Sequence, residues 1–205
     1  MRKMKPSSED KMVYEFLKME LDSDRHREKI EDALAELGVD KIIITCGNIM
    51  SEQENALRVK TLRQFRGYND KELFENYPAN IEWIWVELEN SDFSKIKYMN
   101  YSYWNELSNQ TGSPQEAAKT ILSGKTIYDV PNSGAINGAK RLKEGHKFPP
   151  LILLTDQSEK RYFILEGHGR MAAYGLVPEM FHRVSALLGY CDYEELGKWY
   201  GKDAG

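Results

Sequence analysis

Tyr162-Phe163-Ile164-Leu165-Glu166-Gly167-His168-Gly169-Arg170-Met171-Ala172-Ala173-Tyr174 reads as an apolar strand that breaks at a glycine-rich turn and restarts as a helix. Such a junction suits an anion. Gly167 and Gly169 let the backbone approach a ligand without a Cβ in the way, and the free N–H groups of a helix's first turn carry partial positive charge. Arg170 offers a planar cationic fork beside them. Glu166 has two readings: base or magnesium ligand in phosphoryl transfer, or partner of Arg170 in a structural ion pair. His168 is either a phosphate contact that titrates near neutrality or an ordinary hydrogen-bonding residue of a turn.

Working outward, Leu151 to Thr155, a polar turn over 156–160 and Tyr162 to Leu165 predict strand, turn, strand. Val184 to Leu188 follows as a further strand, and Asp192 with Glu195 can cap a closing helix that holds Leu196 and Trp199. Upstream, Ala135, Ile136, Ala139 and Leu142 repeat at helical spacing until Gly145, ahead of Pro149-Pro150. Ser113-Pro114-Gln115-Glu116 is a helix start, with Ser113 as cap and Glu116 closing a capping box; Ala117, Ala118, Ile121 and Leu122 then face inward. The alternation over 81–88 predicts a strand with Ile84, Val86 and Leu88 on one face and Trp83 and Trp85 on the other.

The first part of the chain reads as two amphipathic helices, marked by Val13, Phe16, Leu17 and Leu21 and by Ile30, Ala33, Leu34 and Leu37. A short β-branched run, Lys41 to Cys46, then predicts a buried strand, and Leu57, Leu62 and Phe65 lie on a charged helix ending at Gly67. The expected class is α/β or α+β, one domain over 1–205, with 1–125 a helical and strand extension and 126–205 the core. No internal repeat or low-complexity tract divides it.

Composition narrows the chemistry. Twenty-eight Lys and Arg against 32 Asp and Glu give a net charge of −4, which argues against a nucleic-acid partner or an anionic membrane. No run approaches the roughly 18 apolar residues of a membrane span, and residues 1–7 lack the apolar core of a secretory signal, reading instead as a flexible arm. Cys46 and Cys191 read as buried thiols of a cytoplasmic protein. His26, His146 and His182 form no metal spacing with them. Arg58, Arg63 and Arg66 make either a second anion-binding face or a solvated one. Tyr98, Tyr101, Tyr103 and Trp104 either stack a base or wrap the core, while Ser108, Thr111 and Ser113 are candidate hydroxyl ligands nearby.

Taken together, Ala139 to Gly145, Pro149 to Leu154 and Tyr162 to Gly175 resemble the nucleotide-binding half of the ParB/sulfiredoxin-like superfamily, with Asp129-Val130-Pro131-Asn132 in the place of a variable upstream box. The resemblance covers about the last third of the chain. Sulfiredoxins share Gly167 and Arg170, but where they carry a catalytic cysteine and a histidine this chain has His168 and Gly169, so sulfinic-acid reduction lacks its nucleophile. ParB partition proteins carry Gly-Glu-Arg-Arg at 167–170 and a helix-turn-helix reader beyond; only 30 residues follow Gly175 here. The nearest pattern is the Asp-Gly-His-His-Arg of ParB-like free-serine kinases, with Glu166 at the Asp position and Gly169 replacing the second His.

What that resemblance implies is a mixed sheet with helices, extended by N-terminal helices, that binds ATP or ADP with Mg2+ and acts as a phosphotransferase or nucleotide hydrolase on a small molecule. Gly167, His168, Gly169 and Arg170 would bind phosphate, with Glu166 and His168 catalytic and Glu166 on the metal. The alternative it leaves is a non-catalytic nucleotide-sensing regulator with a protein or nucleic-acid partner. The motif Trp83…Asp92-Phe93…Tyr101-Ser102-Tyr103-Trp104…Thr111-Gly112-Ser113-Pro114 is similar to bacterial ParB-like proteins of unassigned activity, and supplies architecture without chemistry.

Overall fold

The computed structural model describes residues 1–201, so the last four residues of the expected 126–205 core lie outside the described residues. Its mixed α and β content matches the expected class. The elements run β1 (Arg2–Pro6), α1 (Glu9–Leu21), α2 (Arg27–Glu36), α3 (Ile42–Thr45), α4 (Glu52–Arg66), β2 (Glu82–Leu88) and β3 (Ile96–Lys97). They continue with α5 (Ser102–Leu107), α6 (Pro114–Leu122), α7 (Ser133–Lys143), β4 (Leu151–Thr155), β5 (Tyr162–Glu166), α8 (His168–Leu176), β6 (Val184–Tyr190) and α9 (Tyr193–Tyr200).

One sheet of six strands forms the middle layer, in the order β1-β2-β6-β4-β5-β3. β6 and β4 are parallel, as are β5 and β3, and the remaining neighbours are antiparallel. Period-two alternation sorts each strand's side chains between two cores. Trp83, Ile152, Leu154, Phe163, Leu165 and Leu187 point to one core, which α1 to α4 and α9 complete. Val86, Leu88, Leu151, Leu153, Ile164 and Leu188 point to the other, which α6, α7 and α8 cover. The tryptophan and aliphatic faces of β2 therefore divide as the sequence predicts.

Several local expectations are corrected. Residues 41–46 are not a strand. Asp40 accepts the Ile42 N–H at 2.8 Å, which bends the segment into the short turn of α3, and Ile43 and Ile44 pack into the first core while Ile42 stays exposed. The N-terminal arm is strand β1, whose residues are all exposed and which pairs antiparallel with β2 through its backbone and an Arg2–Glu87 ion pair, with no apolar face of its own. Its lysines and proline are the composition of a guarded sheet edge. Ser113 sits at the N-cap position of α6, yet its hydroxyl donates to Gln115 Oε1 at 2.7 Å instead of capping. Leu122 and Ile136 face solvent. Cys46 is exposed, and Cys191 alone is buried. Asp192 does cap α9, accepting from the Glu194 and Glu195 N–H groups.

Arg58 is fully buried, not solvated. Its guanidinium bonds to Glu54 and to the Ile43 carbonyl, both at 2.7 Å, and lies 5.0 Å from the Tyr14 ring, so it ties α3 to α4. Among the described residues no helix is long and apolar enough to cross a membrane.

Helix α8 lies between α6 and α7, and its small residues permit that approach. A Cβ at Gly175 would stand 2.7 Å from the Pro114 carbonyl oxygen of α6, a backbone atom that cannot swing aside. Gly175→Ala is therefore expected to destabilise the fold by about 1–3 kcal/mol, the usual cost of overpacking. Urea unfolding measures it; an unchanged midpoint would show that α6 shifts freely against α8.

Candidate functional site

The turn predicted from sequence is where the chain passes from β5 into α8. Gly167 adopts φ 114°, a conformation L side chains rarely take, and a Cβ there would stand 2.5 Å from Leu151 Cδ2. Helix α8 starts at His168, and no side chain of the described residues caps it. Its first-turn N–H groups therefore lack the usual side-chain acceptor. Gly169 is exposed, with nothing within 4 Å of where a Cβ would stand. A small anion has room to approach there.

The charged pair of the motif is already engaged. Glu166 Oε1 accepts from Arg170 Nη2 at 2.5 Å, and Glu166 Oε2 accepts from the Gly167 N–H. Arg170 Nη1 also donates to the Pro149 carbonyl at 3.0 Å, to the Pro150 carbonyl and to Met19 Sδ at 3.0 Å. The guanidinium thus fastens the start of α8 to the segment leading into β4 and to α1. Of the two readings of Glu166, the structural ion pair is realised in this state.

His168 is held in an aromatic stack. Its ring lies 5.2 Å from Trp104 and 6.0 Å from Tyr98, near parallel to both, and Trp104 stacks on Tyr98 at 4.5 Å. The Met99 N–H donates to His168 Nε2 at 3.5 Å, so in the neutral ring Nδ1 carries the hydrogen. Burial, with Arg66 and Arg170 adding repulsion, pushes the His168 pKa down to about 3. His168 is a neutral ring at physiological pH, not a phosphate-binding cation. Tyr98 wraps the core as one reading had it, whereas Tyr101 remains partly exposed. The hydroxyls of Ser108 and Thr111 donate to the Trp104 and Ser108 carbonyls, at 2.6 and 2.7 Å, and shape the loop before α6.

The structure brings to this turn residues that the sequence reading did not place there. Glu20, near the end of α1, is buried and close enough to Glu166 to feel its charge; burial first, then Glu166, raises its pKa to about 7 against the pull of Arg66, Arg170 and Arg25. His26 Nε2 lies 3.8 Å from Glu20 Oε2, but burial and then Arg66, Arg25 and Lys29 lower the histidine's pKa to about 4, so the two are not an ion pair at neutral pH. Arg66, at the end of α4, has a buried Nε without a hydrogen-bond partner among the described residues, and its Nη1 reaches Glu72 only at 4.0 Å. Arg63 instead donates to the Tyr68 carbonyl at 3.3 Å, so the suggested arginine face is not one surface. A signal for Glu20 existed: it stands four residues after Phe16 and three after Leu17, on the apolar stripe of α1. Arg25 lies in a turn and offers no such pattern.

The site therefore combines Arg25, Arg66 and Arg170 with Glu20 and Glu166 around an uncapped helix start. Two hollows of about 530 and 490 Å³, beside Glu9 and beside Cys191, do not include residues 166–170. Among the described residues no group of three or more His, Cys, Asp or Glu side chains gathers to hold a metal. No protein-family model, curated protein or solved structure matches this chain.

Glu20 sets a pH signature. A carboxyl raised from 4.5 to about 7 in the folded state keeps a proton that the unfolded chain has lost across that window. Its stabilising contribution is complete below pH 4.5 and is lost as pH rises through 7. Glu20→Gln is expected to gain stability on wild type as pH rises from 4.5 to 7, read from denaturant unfolding at fixed ionic strength. Parallel curves for the two proteins would reject the raised pKa. His26 and His168, lowered from 6.5 to about 4 and 3, act oppositely, and their contribution is lost as pH falls through those values.

Proposed function

We propose that the chain is a nucleotide-binding protein that takes ATP or ADP at the start of α8 and transfers or hydrolyses the phosphoryl group, with a small molecule or water as acceptor. The observation that carries this reading is the uncapped start of α8 opening beside Arg25, Arg66 and Arg170. It also draws on the ParB/sulfiredoxin-like pattern over residues 139–175. A phosphate at a helix N-terminus needs main-chain N–H groups and nearby positive charge, not a deep cavity.

In this reading the amides of His168 and Gly169 donate to phosphate oxygens, and Arg66 turns its unpartnered Nε toward them. Arg170 keeps its bonds to Glu166 and the proline carbonyls and holds the turn in shape while its charge steadies the phosphate. Glu20 takes the proton of the attacking hydroxyl. A carboxyl with a pKa of about 7 is matched to that work at neutral pH, and both oxygens of Glu166 already accept hydrogen bonds. The role first assigned to Glu166 passes to its neighbour. The Trp104 and His168 stack, with the Tyr103 ring edge-on to Trp104, offers the nucleobase a flat aromatic edge.

Magnesium takes one or two carboxylates and completes its shell with water and phosphate oxygens. Glu166 would supply such a carboxylate for an ion that arrives with the nucleotide, leaving Glu20 to take the proton, and such an ion would draw charge from the phosphate oxygens. The alternative, a non-catalytic nucleotide sensor, is favoured by one observation: the guanidinium of Arg170 is already committed to three carbonyl and carboxylate oxygens.

Thermal-shift titration with ATP, ADP, CTP and GTP, with and without magnesium, tests binding. A ligand at 100 times its Kd is expected to add roughly 2.7 kcal/mol of stability. Arg66→Ala should weaken the shift, and Glu20→Gln should preserve it while lowering phosphate release about 10²- to 10⁴-fold. Absence of a shift with every nucleotide rejects the binding site. Turnover undiminished in Glu20→Gln rejects the mechanism, and binding by wild type without turnover selects the sensor.

A further inference from the structure

The hollow of about 530 Å³ shares no residue with the turn at 166–170. Glu9, in the first turn of α1, meets there the loop that follows α4, which supplies Tyr68, Asp70, Phe74 and Tyr77. The rings of Phe74 and Tyr77 meet edge to face at 5.1 Å, and those of Tyr68 and Phe74 at 4.9 Å. The two carboxylate oxygens of Glu9 accept from the Tyr68 hydroxyl and from the Trp83 indole N–H. Beside them the Tyr77 hydroxyl is buried and close enough to lean on the Glu9 carboxylate, yet it makes no hydrogen bond of full geometry among the described residues. A hydroxyl so weakly paired at the wall of a hollow keeps lone pairs that a ligand N–H can fill.

The lining carries two carboxylates, Glu9 and Asp70, and no Lys, Arg or His. Asn69, Asn76 and Asn80 add amide groups, each from a residue with positive φ. An anion would meet only like charge here. A neutral polyol would find hydrogen bonds but would leave the carboxylates and ring faces unused. An organic cation uses all three: a carboxylate as counter-ion, aromatic faces for its charge, and amide or phenol oxygens for its N–H groups.

The loop is also fixed in place. Its Ala79 N–H donates to Glu195 Oε2 at 2.9 Å, and Trp199 Nε1 donates to the Leu73 carbonyl at 2.8 Å, so α9 braces it from outside. A site formed in advance spends little on ordering when it binds. Burial raises the Glu9 pKa, a strain that a bound positive charge would relieve.

We propose that this hollow is a binding site for a small organic cation, an alkylammonium or guanidinium group, with Glu9 as counter-ion and the Tyr77 hydroxyl accepting one of its N–H groups. The site is independent of the nucleotide reading and stands or falls without it.

Calorimetric titration with propylammonium chloride and methylguanidinium chloride, at matched ionic strength, tests it; propanol and glucose are the neutral controls. At least one cation should bind saturably, and Glu9→Gln should weaken it about tenfold or more. Tyr77→Phe keeps the ring, should fold as wild type does, and should weaken the same cation several-fold. The proposal is overturned if neither cation saturates, if propanol or glucose binds equally well, or if both variants bind like wild type. Should Glu9→Gln fail to fold, Tyr77→Phe and Asp70→Asn decide, and wild-type affinity in both would overturn it. The thermal shift with nucleotides should be the same in Tyr77→Phe and wild type, which separates this site from the turn.

Discussion

The constraint on which this fold depends is that β4 is buried on both faces and nearly so is β5. Every residue from Leu151 to Thr155 is buried, as is every residue from Tyr162 to Leu165. Fully burying a Leu, Ile or Phe side chain is worth about 1.5–3 kcal/mol, so neither face of these strands can be left to water. The chain supplies one helical layer from its first 66 residues, with α9, and a second layer from α6, α7 and α8. Where the two layers meet the end of β5, Glu20, Arg25 and Arg66 come from one and His168 and Arg170 from the other. The composite site follows from covering the sheet twice.

The Glu166–Arg170 pair has to be judged against that background. Removing two charges from water costs about as much as their attraction returns, so a mostly buried pair is a weak source of stability. Its value here is positional. Arg170 also satisfies the carbonyls of Pro149 and Pro150, which stand just before β4, and so one side chain sets β4, β5 and α8 relative to each other. A guanidinium used that way is a poor candidate to move onto a substrate. In the proposed function, phosphate recognition therefore falls to main-chain amides and Arg66.

Strands and helices with strong periodicity were legible in the sequence. β2, β4, β5 and β6 alternate or run apolar, α4 stops at Gly67, and α9 begins at a capping Asp192. What escaped had its cause outside the local pattern. β1 is held by backbone bonds to β2 and shows no apolar face. The Ile42-Ile43-Ile44 run is too short for its period to be read, and a side-chain bond from Asp40 decides it. In the site, the turn at 166–170 was visible because glycine, arginine and helix start are neighbours in sequence. Glu20, Arg25 and Arg66 were not visible as a group, because only the packing of α1 and α4 against the sheet brings them to α8.

That packing also reverses the local field. The whole chain carries a net charge of −4, yet near the end of β5 three guanidinium groups act on Glu20, whose pKa lies at about 7, and one of them, Arg170, pairs with Glu166. His26 and His168 stay neutral chiefly because they are buried, with Arg66 adding to the opposition in both. The region is thus positive, with Arg25 at its exposed side. An anion that settles at the start of α8 would balance the arginines and at the same time press the Glu20 carboxylate toward its protonated form, since like charges nearby raise a carboxyl's pKa. A carboxylate so pressed holds a proton more strongly once it has one, which is the property a general base needs. In the proposed function, anion binding and proton transfer would therefore be coupled by the packing that places Glu20 on a buried stripe.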